Sequence, residues 1–236
     1  MRLDKFIVES GLASRTEIAK VARGGGITVN GQVVRRASGH IDPTTDTVTY
    51  LGREVIWREF TYVMLNKPDG VLSATEDGAG MTVLDLLPEK YSKMGLFPCG
   101  RLDKNTLGLM LITDNGDLAH KLLAPKSHVD KKYRFKSRDE INPEDAMRFE
   151  GGLTLEDGYV TLPAKIELDE DRMGGVITLR EGKYHQIKRM LEALDNKITY
   201  LERISFGPLT LDPALERGEW RYLSEEEQSA LESHAK

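Results

Sequence analysis

One carboxylate is a candidate catalytic group because it lies between a glycine-flanked arginine and a long apolar run. Asp103 closes the sequence Gly-Arg-Leu-Asp, and the continuous apolar residues at 108–113 are typical of a core strand. The Asn-Gly pair at 115–116 then predicts a turn. A side chain on a short loop beside a rigid strand is held in place, which suits a catalytic nucleophile or base.

Two further segments carry basic and aromatic side chains. Lys131 and Lys132 precede Tyr133 in a predicted strand, although this pattern is also typical of an exposed sheet edge protected by lysines. A glycine turn then leads into a predicted helix. The first turns of that helix carry three basic residues: His185, Lys188 and Arg189.

The run at 100–116 closely resembles the signature of the pseudouridine synthases, G-R-L-D-x-x-T-x-G-L-L-L-x-T-x-D-G. Asn115 departs from it, at a position where an acid is usual. A bare Arg-Leu-Asp is most often an ordinary charged loop, but a long run of positions matched in order is far more specific. The resemblance implies that Asp103 is the essential catalytic residue, and that Arg101 helps to hold the space that a flipped-out base vacates.

Two other segments match the same family. The Lys-Pro-x-Gly turn at 67–70 is a feature of these enzymes, and 182–188 resembles their motif G-[RK]-x-H-Q-[IL]-[KR]. The resemblance implies that Lys188 lies against Asp103, where a cation keeps a carboxylate ionised in a partly dry pocket. It also implies that Tyr133 lies beside the target base, where a phenol can stack on uracil or accept a proton.

Pseudouridine formation detaches uracil from its ribose and rejoins it through carbon 5, so nothing is oxidised and no group is imported. The resemblance therefore implies no cofactor, and the spacing of the five histidines predicts no metal site. Asp103 can act as a nucleophile or as a base on the ribose, and the residues leave both routes open. His185 is expected to be structural rather than a general base.

The composition is that of a soluble globular protein, with 236 residues of which 39% are hydrophobic and 30% charged. No apolar run is long enough to span a membrane, and the N-terminal residues lack the apolar core of a signal peptide. The single cysteine, Cys99, cannot form an internal disulfide and is expected to be buried. These features predict a cytoplasmic protein, and we expect a monomer.

The net charge of −5 argues weakly against a nucleic-acid partner, but the distribution of charge reverses that inference. Residues 1–41 contain seven lysines and arginines against three acids, and residues 120–138 contain seven against one. Such basic patches are typical of RNA-binding surfaces. We expect eight basic residues to contact RNA: Arg2, Lys5, Arg15, Arg23, Arg101, Lys131, Lys132 and Arg189.

The N-terminal part of the chain has the pattern of a separate module. Two short predicted helices, the second starting at a capping box at Ser14, precede a hairpin turn at 30–31. This pattern resembles the S4 RNA-binding domain. With a linker predicted at 49–60, we expect an S4-like domain with its linker at 1–58 and the catalytic domain at 59–236.

The catalytic domain alternates short strands with a few helices. Strands are predicted at 62–66, 108–113, 133–137, 159–162, 164–168, 175–180 and 198–204. Helices are predicted at 82–87, 117–123, 143–149, 185–194 and 224–232. Because the helices are too few for regular βα alternation, we expect an α+β fold with a mixed, mostly antiparallel sheet of pseudouridine synthase type.

The closing pattern from Leu201 to Leu223 resembles the branch of the family that modifies small-subunit ribosomal RNA. The resemblance implies 16S ribosomal RNA, or an assembly intermediate of the small subunit, as partner and the uridine usually numbered 516 as target. Two alternatives are a synthase that acts on a large-subunit uridine and a non-catalytic RNA-binding assembly factor. A carboxylate glycosidase is a third, but no second carboxylate lies in a matched motif.

Overall fold

The chain forms two compact units in this computed structural model, which describes residues 1–56, 58–89, 91, 94–124 and 129–234. The first unit comprises Met1–Thr61 with Pro88–Leu96, and the second comprises Tyr62–Leu87 with Phe97–Lys236. Helices and sheets are both present in the described residues, which confirms the α+β class. No helix in this part of the chain is long and apolar enough to cross a membrane.

The first unit combines two helices with a four-stranded antiparallel sheet of order β2-β1-β3-β4. Its elements are α1 Leu3–Glu9, α2 Arg15–Arg23, β1 Ile27–Val29, β2 Gln32–Val33, β3 Val48–Tyr50 and β4 Arg53–Glu54. As predicted, a capping box starts α2: the Ser14 hydroxyl accepts from the Glu17 amide, and the Glu17 carboxylate accepts from the Ser14 amide. Buried apolar side chains from both helices and the sheet form one core.

The linker predicted at 49–60 is wrong over its first half, because strands β3 and β4 of this sheet extend into it. The turn between the two strands consists of Leu51 and Gly52, with φ of 51° and 79°. Positive φ at both central residues is the backbone of a tight hairpin, which asparagine and glycine favour. Leucine rarely adopts this conformation, so the sequence carries no clear turn signal here.

The second unit is built on a nine-stranded sheet. Its strands are β5 Tyr62–Lys67, β6 Phe97–Pro98, β7 Leu107–Thr113, β8 Lys131–Ser137, β9 Lys165–Leu168, β10 Gly174–Leu179, β11 Ile198–Phe206, β12 Leu209–Thr210 and β13 Trp220–Tyr222. Its helices are α3 Gly116–Leu123, α4 Pro143–Gly151, α5 Gln186–Glu192 and α6 Glu225–His234. The main order is β13-β5-β7-β11-β8-β10-β9, with β6 beside β7 and β12 beside β11.

The centre of this sheet lies where β7 runs parallel to β11 and antiparallel to β5. The other described pairs are antiparallel, so the predicted mixed, mostly antiparallel sheet is confirmed. Gly108, near the start of β7, has a φ of +95°, and a Cβ atom there would collide with the Arg203 carbonyl oxygen of β11. Only glycine therefore allows the two strands to approach, directly after the loop that carries Asp103.

The helix predicted at 82–87 is wrong, because the segment is a series of turns. The Asp85 carboxylate accepts hydrogen bonds from the Thr82 amide at 2.7 Å and from the Thr82 hydroxyl at 3.0 Å. The Val83 amide donates to the Leu72 carbonyl oxygen rather than within a helix. Pro88 follows and disfavours helical backbone in the residue before it.

The strand predicted at 159–162 is also wrong, since only Val160 forms a bridge, to Thr154. The Leu162 amide donates to the Glu181 carboxylate at 2.9 Å instead of to a neighbouring strand. Pro163 then interrupts the segment because it has no amide hydrogen. The other predicted strands and helices of this unit are present, with ends displaced by a few residues.

Candidate active site

The carboxylate of Asp103 is paired with the ammonium group of Lys188. The two groups lie 2.6 Å apart, and their side chains are 27% and 19% exposed. Lys188 lies on α5, whereas Asp103 lies on the loop before β7, so the pair joins residues distant in the chain. Lys188 also donates to the side-chain oxygen of Asn105 at 2.7 Å. The predicted contact between Lys188 and Asp103 is therefore present.

A second lysine holds the backbone of the same loop from the protein interior. Lys67, the last residue of β5, is fully buried. Its ammonium group donates to the carbonyl oxygens of Pro68, Lys104 and Thr106 at 3.1, 3.0 and 3.0 Å. Burial lowers the pKa of Lys67 to about 8. The sequence placed Lys67 in a turn motif but indicated no role for it, because its partner Thr106 lies 39 residues away.

A cavity that opens to solvent lies beside the Asp103–Lys188 pair. Tyr133, which is buried on β8, lines the same cavity, so the three residues predicted to be catalytic are brought together. Thr106 also lines it, and its buried hydroxyl has no hydrogen-bond partner among the described residues. A buried hydroxyl normally finds a partner, so the unpaired hydroxyl of Thr106 is an exception among the described residues.

His185 lies on the other side of the Asp103 carboxylate. Its Nε2 atom is 3.6 Å from Asp103 Oδ1, which is too far for a hydrogen bond. Its backbone is left-handed, with φ of 50°, at the residue before α5. The imidazole ring stacks on the ring of Tyr184, with centroids 3.8 Å apart. His185 therefore lies at the rim of the site, and the residue in direct contact with the Asp103 carboxylate is Lys188.

The loop between β10 and α5 is held by the carboxylate of Glu181. That carboxylate accepts from the Tyr159 hydroxyl at 2.6 Å, the Leu162 amide at 2.9 Å and the Gln186 side chain at 2.6 Å. The side-chain oxygen of Gln186 in turn accepts from the Lys183 amide at 2.9 Å. The hydrogen bond to Glu181 raises the pKa of Tyr159. Sequence reasoning missed Glu181, because its partners on the 159–162 segment belong to no motif.

The arrangement can support chemistry by a charged carboxylate. A carboxylate beside a cation can attack an electrophilic carbon or remove a proton, and a neighbouring phenol can stack on a base. The described residues contain no group of three or more His, Cys, Asp or Glu side chains that could hold a metal ion. Cys99 is buried as predicted, and burial raises the pKa of its thiol to about 11, which makes it a poor nucleophile.

Four of the residues predicted to contact RNA belong to the first unit: Arg2, Lys5, Arg15 and Arg23. Two of them form ion pairs within the protein. Arg2 pairs with Asp4 at 2.6 Å, and Lys5 pairs with Glu9 at 3.5 Å. Part of the positive charge counted in the sequence of this unit is therefore balanced locally, and contact of these residues with RNA stays a prediction.

The other four predicted RNA contacts belong to the second unit. Arg101 is exposed and lines the cavity beside Asp103. Lys131 is half-buried and Lys132 is exposed on β8. Arg189 forms an ion pair with Asp157 at 2.5 Å. Arg101 thus lies at the site, whereas Arg189 is committed to a surface acid.

The basic stretch at 120–138 is partly neutralised by acids from elsewhere in the chain. Arg134 pairs with Asp169 at 2.7 Å, and Arg138 pairs with Asp139 at 2.6 Å. Lys126, which belongs to the stretch, lies outside the described residues. The positive surface here is therefore smaller than the count of lysines and arginines indicates.

Comparison with known proteins gives matches along the whole chain. Residues 61–193 match the family model described as RNA pseudouridylate synthase, and residues 1–46 match that of the S4 domain. A protein of Bacillus subtilis named as an uncharacterized RNA pseudouridine synthase is 46% identical, over 96% of each chain. Ribosomal small subunit pseudouridine synthase A of Vibrio cholerae is 40% identical, over 98% of this chain and 99% of its own.

Two further matches agree with these. Ribosomal small subunit pseudouridine synthase A of Escherichia coli is 38% identical, over 96% of this chain and 98% of its own. The crystal structure of a pseudouridylate synthase is 34% identical and superposes with a TM-score of 0.69, covering 98% of this chain and 99% of that one. The likeness therefore includes both units and the fold, as well as the short motifs.

Proposed function

This chain belongs to the RNA pseudouridylate synthase family, and we propose that it converts a uridine of small-subunit ribosomal RNA into pseudouridine with Asp103 as the catalytic carboxylate. Lys188 balances the charge of that carboxylate, and Tyr133 lies beside the target base. The observation that carries the proposal is the 2.6 Å contact of Asp103 with Lys188 at the wall of a cavity that Tyr133 also lines.

The reaction requires the target uridine to leave its stack and to enter the cavity, at a cost of a few kcal/mol. The bond between ribose C1′ and uracil N1 breaks, the base rotates, and C1′ bonds to C5. The proton on C5 is then lost to solvent while N1 gains one, so that uridine and pseudouridine are isomers. Asp103 either attacks C1′ or removes a proton from the ribose, and an adjacent ammonium group suits both routes.

Groups around Asp103 are suited to holding the detached base while it rotates. We expect the Tyr133 phenol to stack on uracil, because an aromatic ring accepts any orientation of a base in its plane. Arg101, exposed beside the cavity, is proposed to occupy the space in the RNA that the base leaves.

The small-subunit substrate is supported by the names of relatives that match over nearly their full lengths. From the closing motif, which resembles the branch of the family that modifies small-subunit ribosomal RNA, we propose uridine 516 of 16S ribosomal RNA as the target. We further propose that residues 1–58 form an S4-like RNA-docking domain with its linker, and that residues 59–236 form the catalytic domain.

The test is tritium release from ribosomal RNA labelled at C5 of its uridines. The full chain is incubated with labelled small-subunit RNA and, separately, with labelled large-subunit RNA. We expect release from small-subunit RNA only, because bond formation at C5 expels the hydrogen there. Asp103→Asn preserves the size of the side chain and is the matched control, which should release none. Release from large-subunit RNA alone would contradict the substrate, and release from neither would contradict the function.

A further inference from the structure

Two cations lie close together in the interior of the second unit. Arg203, on β11, is 2% exposed, and Lys131, on β8, is half-buried. Both lie over the ring of Phe206: the guanidinium carbon of Arg203 is 5.1 Å from the ring centre, and the Lys131 nitrogen is 5.7 Å from it. Burial lowers the pKa of Lys131, and the nearby charge of Arg203 lowers it further.

The hydrogen bonds of these two cations go to neutral groups. Arg203 donates from Nε to the Leu109 carbonyl oxygen at 2.7 Å, and from Nη2 to the Met110 sulfur at 3.9 Å. Lys131 donates to the Val129 carbonyl oxygen at 2.9 Å. Removing two like charges from water without an anion destabilises a protein.

No ion pair of Arg203 or Lys131 is present within the part of the chain that the structure describes. The acid next in sequence, Asp130, is already paired with Arg180 at 3.0 Å. The positive charge of the two side chains is therefore not balanced by a direct ion pair within the described residues.

Arg203 and Lys131 line a cavity of about 670 Å³ that adjoins the one at Asp103. Arg101, Tyr133 and the loop at 181–183 line both cavities, so they form one continuous cleft. Arg203 also lies opposite Tyr133 in the pairing of β11 with β8. Directly opposed residues point to the same face of a sheet, so the cations are neighbours of the tyrosine proposed to stack on uracil.

We propose that Arg203 and Lys131 bind a phosphate diester of the RNA, next to the uridine whose base enters the Asp103 cavity. This inference rests on the proposed function. A nucleotide within RNA carries a phosphate on each side of its ribose, so an anion necessarily follows the base into the cleft. The Nη1 atom of Arg203 makes no hydrogen bond within the described residues and can donate to a phosphate oxygen, and Lys131 supplies a second charge.

The test uses short RNA substrates in which the phosphate on one side or the other of the target uridine is an uncharged methylphosphonate. We expect one of the two replacements to weaken binding to the full-length wild-type protein by about 10- to 100-fold, as for loss of a charged hydrogen bond. Lys131→Met should weaken binding of unmodified RNA and lower the log–log salt slope by about 0.7. The methylphosphonate that weakens binding to the wild type should then weaken binding to the Lys131→Met variant little further.

Two other variants support the reading of this experiment. Lys165→Met removes the same charge from the exposed strand β9, so it should keep the full methylphosphonate effect. Arg203→Lys keeps the buried charge but not the planar fork, so it should bind unmodified RNA more weakly and show a reduced methylphosphonate effect. Circular dichroism and melting temperature establish that each variant is folded.

The phosphate site would be overturned if the side-chain variants and the methylphosphonates weakened binding independently of each other. The loss of RNA affinity caused by Lys131→Met is compared with the loss caused by the methylphosphonate, each alone and both together. If the two losses multiply at both flanking positions, the side chains do not bind either phosphate. Arg203→Lys takes the place of Lys131→Met if that variant does not fold. Tritium release by the wild-type protein is measured on the same unmodified RNA. Absence of release would count against the proposed function itself, whereas normal release with independent losses would count against the phosphate site alone.

Discussion

Two loops form the candidate site, and they are held by different kinds of contact. The loop at 100–106, which carries Asp103, is fixed through its backbone by the buried ammonium group of Lys67. The loop at 180–185, which leads into α5, is fixed by three hydrogen bonds to the carboxylate of Glu181. The first anchor lies in the interior of the protein, and the second lies near its surface.

This difference separates the contacts that maintain the fold from those that position a side chain. Loss of Lys67 would remove a donor from the buried Thr106 carbonyl oxygen and from the partly buried carbonyl oxygens of Pro68 and Lys104. A buried acceptor without a donor costs free energy that water cannot restore.

Loss of Glu181 would free the Tyr159 hydroxyl and the Leu162 amide, which water can reach, and the side-chain amide of the buried Gln186. We therefore expect changes at the first anchor to lower stability and changes at the second to lower activity.

The largest effect should come from Asp103→Asn, which alters the chemistry of the first loop without touching its anchor. Turnover should fall below about 1% of wild type, as for loss of a central nucleophile or base. Melting temperature and RNA affinity should stay close to wild type, because the loop is held by Lys67 and not by the Asp103 carboxylate. Turnover by Asp103→Asn above about 1% of wild type would show that Asp103 is not the catalytic carboxylate.

Lys188→Met should lower turnover by about 100-fold, since it removes the charge that faces the carboxylate. The matched control is Lys183→Met, because Lys183 lies in the preceding loop and packs against the Tyr159 ring at 5.0 Å. The control should lose much less activity. Equal losses in the two variants, measured as single-turnover rates, would show that the ion pair with Asp103 has no special importance.

Lys67→Met should lower the free energy of unfolding by about 3 kcal/mol, because the buried Thr106 carbonyl oxygen and two partly buried carbonyl oxygens lose a charged donor. The effect should depend on pH. Lys67 has a pKa of about 8 in the folded protein and 10.5 as its ordinary value. Between these values the unfolded state binds more protons, so the stability of the wild type should rise relative to that of Lys67→Met as the pH rises.

Urea unfolding of both proteins at about pH 7 and about pH 9.5 measures this dependence. Below about pH 8 both states of the wild type carry the charge, and the cost of burying it is present in full. A stability difference that stays constant between the two pH values would contradict the burial of a charged Lys67 beneath the loop.

The smallest effect should come from Glu181→Ala, which removes the anchor of the second loop. Turnover should fall by about tenfold through misplacement of α5, with little change in melting temperature. Glu181→Gln keeps one acceptor oxygen and should recover part of the activity. If the Glu181→Ala protein does not fold, Glu181 maintains the fold, as Lys67 does. If it folds and its turnover is unchanged, Glu181 does not position α5 for catalysis.

The sequence predicts the parts of the site that lie inside motifs, and it misses the supports that lie outside them. The contact of Lys188 with Asp103 follows from two matched segments, although 85 residues separate the two side chains. Lys67, Glu181 and Arg203 act on partners that no local pattern identifies. Such long-range contacts depend on how strands are ordered in the sheet, which residue spacing does not reveal.

A similar division applies to the fold. Long apolar strands such as Leu107–Thr113 are evident from the sequence, because burial on both faces produces a continuous apolar run. Strands of two or three residues, such as Phe97–Pro98 and Leu209–Thr210, have too few residues for any periodicity. The turns at 82–87 have a helix-like apolar pattern but are stabilised by the Asp85 side chain, a local contact that competes with helix formation.

The proposed function is tested most directly by pseudouridine mapping in ribosomal RNA from a strain that lacks this protein. One pseudouridine of the small-subunit RNA, expected at uridine 516, should be absent from that strain. It should return on expression of the wild-type protein and remain absent with Asp103→Asn. An unchanged small-subunit map would exclude the proposed activity, and a modification restored by Asp103→Asn would exclude Asp103 as its catalytic carboxylate.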